Sequence, residues 1–181
     1  WGQYNPDLLG IFKLGGKIYG YPRDNDTTVL YYNKDAFDEA KVAYPTDKWR
    51  WSDLLAAAQK LTKRQGDRVT RYGVALEDNK WPVFVYQNGA KFTLNTPKGI
   101  EAIQFIGDLI NKYKVAPSFQ SMKQLGDTTQ LFSSGLAAMT MTNAARLGTF
   151  KDAKFKWGVA PLPAGPTGIR ANSGGGAGFA M

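Results

Sequence analysis

The 181-residue chain contains no cysteine and no histidine. The first absence excludes a disulfide framework and a thiol nucleophile. The second removes the commonest general base and the commonest transition-metal ligand. No stretch approaches the roughly 18 uninterrupted apolar residues of a membrane helix. The opening Trp1-Gly2-Gln3-Tyr4 has neither the basic start nor the apolar run of a secretory signal. No Gly-Lys-Ser/Thr phosphate loop, internal repeat or low-complexity tract occurs. The close on Gly176-Ala177-Gly178-Phe179-Ala180-Met181 reads as a strand cut in progress, so the expectation is a segment of a longer protein.

What is present is ordinary for a globular protein: 43% apolar and 21% charged residues, in a length sufficient for one sizeable core. The net charge is +8. The cations from Lys34 to Arg71 alternate with Asp35, Asp38, Glu39, Asp47, Asp53 and Asp67. Such dispersal describes a solvated surface, and no nucleic-acid partner is expected.

Local signals divide the chain into short alternating elements. Strands are expected at 18–21, 29–32 and 72–76, and helices at 35–40, from Trp51 towards a stop at Gly66, and at 81–88. Ser52 or Asp53 is the expected cap of the second helix. Thr96-Pro97 pairs a hydroxyl cap with proline at the first helical position. Ile103, Ile106, Ile110 and Tyr113 form the expected buried stripe behind it. A short helix is expected at 127–132. The run 137–141 then reads as a buried strand ending in Asn143, with a helix beginning at Ala144. In an open α/β sheet, the carboxyl tips of strands are where small ligands bind. Val159 to Pro166 is proline-rich and extended. Two extended crossings thus bracket a compact body, giving expected boundaries at 1–27, 28–155 and 156–181.

Several segments together carry a family resemblance. They are Gly16 to Pro22; Tyr31-Tyr32-Asn33-Lys34-Asp35-Ala36-Phe37; Trp51-Ser52-Asp53-Leu54-Leu55; Gln87-Asn88-Gly89-Ala90; Phe132 to Met139; and Val159 to Pro163 followed by Gly174-Gly175-Gly176. In this order they resemble the sugar-binding members (maltose-binding-protein-like, family 1) of the extracellular solute-binding proteins that serve ABC importers. The resemblance implies an α/β fold: one lobe of a two-lobe, periplasmic-binding-protein-like type II architecture, with hinge-crossing strands at both ends. It implies non-catalytic capture of a sugar or polyol, delivery to ABC permease subunits in the membrane, a monomer, no cofactor or metal, and an extracytoplasmic location in the periplasm or as a cell-surface lipoprotein. By position, it implies ligand contacts from Asp24, Asn25, Asp26, Trp81, Asn143, Arg146 and Gly175.

Each of those residues also has a plainer reading. Asp24 and Asp26 suit an Asx-type turn. Trp81 suits packing beneath Pro82, Asn143 a helix cap, Arg146 a surface ion pair, and the glycines a linker. A glycoside hydrolase is the competing activity, with Asp24, Asp26, Glu77 and Asp78 as the candidate carboxylates.

Overall fold

The computed structural model describes residues 6–91, 94–172 and 177–180. The chain divides into two compact units: residues 1–27 with 174–181, and residues 28–173.

In the smaller unit, a short helix α1 (Pro6–Gly10) precedes the β1 (Lys13–Leu14) and β2 (Lys17–Ile18) hairpin, whose turn is made by Gly15 and Gly16 at positive φ. β3 (Gly20–Pro22) pairs antiparallel with the strand Gly178–Ala180. The pair is continued by Arg23 N–H donating to Ala177 O at 2.8 Å, and Tyr21 packs on Phe179 at 5.3 Å between ring centroids.

The larger unit is built on a four-stranded sheet. Its strands are β4 (Thr28–Asn33), β7 (Ala75–Leu76), β8 (Met139–Asn143) and β9 (Trp157–Ala160), in the order β7-β8-β4-β9. β7 and β8 are parallel; β4 runs antiparallel to both β8 and β9. The central β4 is covered on both faces, which its adjacent tyrosines show. Neighbours on a strand point to opposite sides. Tyr31 enters a cluster with Phe132 and Phe150, whereas Tyr32 enters the main core with Phe37.

The helices that cover the sheet follow local sequence rules. Asn33 caps α2 (Lys34–Glu39) by accepting from Ala36 N–H at 2.9 Å. α3 (Trp51–Leu61) buries Trp51, Leu54, Ala57, Ala58 and Leu61, a helical stripe in which each large side chain contributes about 1.5–3 kcal/mol. α3 starts one residue before the expected cap. Arg50 holds the cap position, and the Asp53 carboxylate reaches back to its N–H at 2.8 Å. α3 also ends before Gly66. Residues β5 (Lys63–Gln65) and β6 (Arg68–Arg71) form a hairpin with Gly66 at φ +60° in its turn. A helix stop and a hairpin turn both use a left-handed glycine, so this signal fits either.

α4 (Trp81–Gln87) follows a 3₁₀ turn at Asp78–Lys80, and α5 (Pro97–Gly107) is capped by Thr96, as expected. In α5 the stripe is incomplete. Ile106 is buried, but Ile103 is 39% exposed. α6 (Phe119–Leu125) was not expected. Ser118 caps it, and Gly126 at φ +106° ends it. α7 (Thr128–Ser133) then returns the chain to β8, and a 3₁₀ stretch, Ala144–Asp152, follows β8.

Candidate functional site

β7 and β8 are parallel, so their carboxyl tips lie side by side. Glu77 follows the tip of β7, and Asn143 ends β8. The N-terminus of α7 closes the same region, fixed by a capping box between Asp127 and Gln130. Gly126 before it has a positive φ, and a Cβ there would push aside the Gln130 side-chain amide that caps Asp127 N–H. These elements wall a cavity of about 710 Å³, floored by Glu77, Lys80 and Thr128 and rimmed by Asp78, Lys123 and Arg146.

Its floor is a connected polar network. Glu77 accepts from Thr142 Oγ1 at 2.5 Å and from Thr128 Oγ1 at 3.4 Å, both buried hydroxyls. The Lys80 ammonium lies 3.6 Å from Glu77 Oε2 and donates to Asn143 Oδ1 at 3.0 Å. Lys80 is 8% exposed, so its charge is tolerated only because Glu77 compensates it. The Tyr31 hydroxyl, from the other side of β4, reaches the carbonyls of Asn143 and Ala144 at 3.2 and 3.0 Å and fixes the strand tip. The network leaves one edge open. The Asn143 amide NH₂ and the side chains of Asp78, Lys123 and Arg146 have no protein hydrogen-bond partner among the described residues.

Two of the residues expected from sequence therefore share this cavity: Asn143 and Arg146. Asn143 occupies the cap position of the following 3₁₀ stretch, yet its side chain makes no cap bond and is committed to Lys80. Arg146 is exposed and makes no ion pair among the described residues. Trp81 lines an adjoining apolar cavity of about 210 Å³ and is partly packed on the main core.

Asp24, Asn25 and Asp26 belong to the smaller unit. Asn25 is exposed and Asp26 half-buried. Asp24 is already engaged: its Oδ1 accepts from Ala177 N–H at 2.7 Å and its Oδ2 from Arg23 at 2.8 Å. The Ala177 amide first, and then Arg23, hold this carboxyl below the ordinary aspartate range. Asp24 thus ties together the two paired segments of its unit. Gly175 lies outside the described residues. No group of three or more acidic residues is placed to hold a metal among the described residues, and no helix of theirs is long and apolar enough to cross a membrane.

The sequence profile described as bacterial extracellular solute-binding protein matches residues 1–181. The chain belongs to that family. Among solved structures it is similar to an ABC substrate-binding protein of Listeria monocytogenes in complex with cycloalternan. That likeness has a TM-score of 0.85 at 32% identity, covering 96% of this chain and 46% of that one. The larger unit is thus one lobe of a type II periplasmic-binding-protein-like fold. The chain is 27% identical to the sn-glycerol-3-phosphate-binding periplasmic protein of Brucella abortus, over 89% of its own length and 40% of that protein's. It is 32% identical to an arabinooligosaccharide-binding protein of Halalkalibacterium halodurans, over 60% of its own length and 25% of that protein's. The chain spans less than half the length of these relatives.

Sequence reasoning assigned Glu77 only to a hydrolase and passed over Lys80 and Thr142. The strand-tip rule that pointed to Asn143 applies equally to Glu77, which directly follows an expected strand. Lys80 gave no such signal, because its partner Asn143 is 63 residues away.

Proposed function

We propose that this chain is the ligand-gripping lobe of a receptor that captures a sugar or related polyol without altering it and delivers it to an ABC-type importer. One observation carries the reading: a polar network already assembled at the tips of β7 and β8, with Asn143 NH₂ and the Asp78 carboxylate left to meet a guest. Hydroxyl groups both donate and accept. A cavity lined by both an amide NH₂ and a carboxylate can meet both roles. The names of the relatives point the same way, since cycloalternan, arabino-oligosaccharides and glycerol phosphate all carry hydroxyls.

On this reading Arg146 and Lys123 contribute charged donors at the rim. Hinge bending between the two lobes closes the cleft over the ligand. The ligand stabilises the closed state by its differential affinity for it. The receptor works as a monomer outside the cytoplasm, with permease subunits as its partner. Glu77 serves as a fixed acceptor rather than as a catalytic acid.

The test is a thermal-shift screen of monosaccharides, disaccharides and polyols on the full-length protein, with oligosaccharide hydrolysis followed in parallel. A true ligand at 100 times its Kd stabilises by about 2.7 kcal/mol, a measurable upward shift in melting temperature. Asn143→Ala is expected to remove the shift. A uniform null would contradict the carbohydrate assignment. Turnover of an oligosaccharide would replace the receptor with the hydrolase, whose candidate carboxylates Glu77 and Asp78 line the same cavity.

A further inference from the structure

The smaller cavity beside the polar one differs from it in kind. Its walls are Leu76, Trp81, Phe84, Ile103, Ile106 and Phe119. Leu76, Phe84 and Ile106 form a buried floor; Ile103 and Phe119 are 39% and 37% exposed and make an open rim. That opening explains why Ile103 leaves the buried stripe of α5. The two cavities adjoin, since Glu77, Asp78 and Phe119 line both.

The chemistry of these walls says what fits. A sugar ring seated here would set its hydroxyls against Leu76, Phe84 and Ile106, which offer them no partner. Of the two carboxylates at the border, Glu77 is already committed to Thr142, Thr128 and Lys80, and Asp78 also lines the polar cavity, where it is assigned to the polyol. The volume of about 210 Å³ exceeds the roughly 150 Å³ at which an apolar protein cavity accepts benzene. A ring of that size, joined through one bond to a polyol in the polar cavity, would satisfy both regions at once.

We propose that this cavity is a subsite for an apolar substituent, and that the ligand is a glycoside bearing an aryl group rather than an unsubstituted sugar. The inference rests on the polyol reading of the larger cavity and adds a second half to the ligand.

Isothermal titration calorimetry on the full-length protein tests it with matched pairs: glucose, maltose and arabinose, each against its phenyl glycoside. In at least one pair the phenyl glycoside binds tenfold or more tightly, the scale set by burying an aromatic ring. Ile103→Trp, which fills the rim at a half-exposed position and folds normally by circular dichroism, brings the ratio within the pair to about one. Parent sugars that bind while their phenyl glycosides bind no tighter would overturn the subsite alone. So would a ratio that Ile103→Trp leaves untouched. If neither sugars nor phenyl glycosides bind, the polyol reading fails and the subsite falls with it.

Discussion

Two glutamates in this protein are each held by a lysine, and their surroundings make them different objects. Glu39 sits on the surface between Lys63 and Arg71, with about half of its side chain and of the Lys63 side chain in water. Glu77 meets Lys80 at the tip of β7, where their side chains are 23% and 10% exposed. In water, ion pairing replaces hydration with little net gain, and salt screens what remains. Away from water, the partner is what makes the charge tolerable at all. Glu77 also has two buried hydroxyls on it, and Lys80 has the Asn143 carbonyl. Pairing of Glu39 with Lys63 decorates a hairpin, whereas pairing at Glu77 builds a site.

The contrast can be broken most forcefully at Lys80. Lys80→Met removes the cation and leaves the Glu77 carboxylate uncompensated. The expected loss is about 3 kcal/mol in chemical denaturation, together with loss of ligand response. Equal stability with intact binding would erase the distinction between the two glutamates. Thr142→Val removes one of the buried donors to Glu77 and keeps the charges. About 2 kcal/mol is expected, the range for hydrogen bonds to charged groups, measured the same way. Lys63→Met, which removes the half-exposed partner and leaves Glu39 on the largely buried Arg71, should barely move the melting temperature at low salt and not at all in 1 M salt. A large, salt-insensitive effect there would show that the surface pair is structural. Lys63 and then Arg71 lower the Glu39 pKa from its ordinary value. Its small contribution is therefore present above the unfolded carboxylate pKa, near 4.5, and disappears as pH falls through the folded value.

The smallest effect is expected at another exposed contact. The Tyr44 hydroxyl donates to Asp38 at 2.6 Å, and that bond, above all, pushes the Tyr44 pKa up to about 12. The sign is opposite to that of Glu39. The stabilisation is complete below pH 10 and is lost as pH rises through about 12. Ultraviolet titration of tyrosinate, with Asp38→Asn returning Tyr44 towards 10, measures it without unfolding the protein.

Much of the fold was legible because its signals are local. Thr96-Pro97 starts α5 by capping chemistry, Pro82 and Gly89 bracket α4, and the β-branched and aromatic run before Asn33 is β4. The misreadings also have local causes. Gly66 satisfies two turn types at once, and α6 is seven residues long, too short for helical periodicity to declare itself. The site was legible only in part. A strand-tip position can be read from the strand, and this found Asn143. The partners that give Asn143 its setting come from the turn that follows β7 and from α7, brought together by sheet order and parallel register. Neither follows from spacing along the chain. The same limit applies to Ile103: its spacing marks it for the core, and only the apolar cavity shows why it stays half-exposed.

The most direct measurement is a crystal structure of the full-length protein with the best ligand from the thermal-shift screen. The predicted result places ligand hydroxyls within hydrogen-bond distance of the Asn143 amide and the Asp78 carboxylate, over the Glu77–Lys80 pair. A ligand seated elsewhere, with Asn143 and Asp78 untouched, would contradict the account.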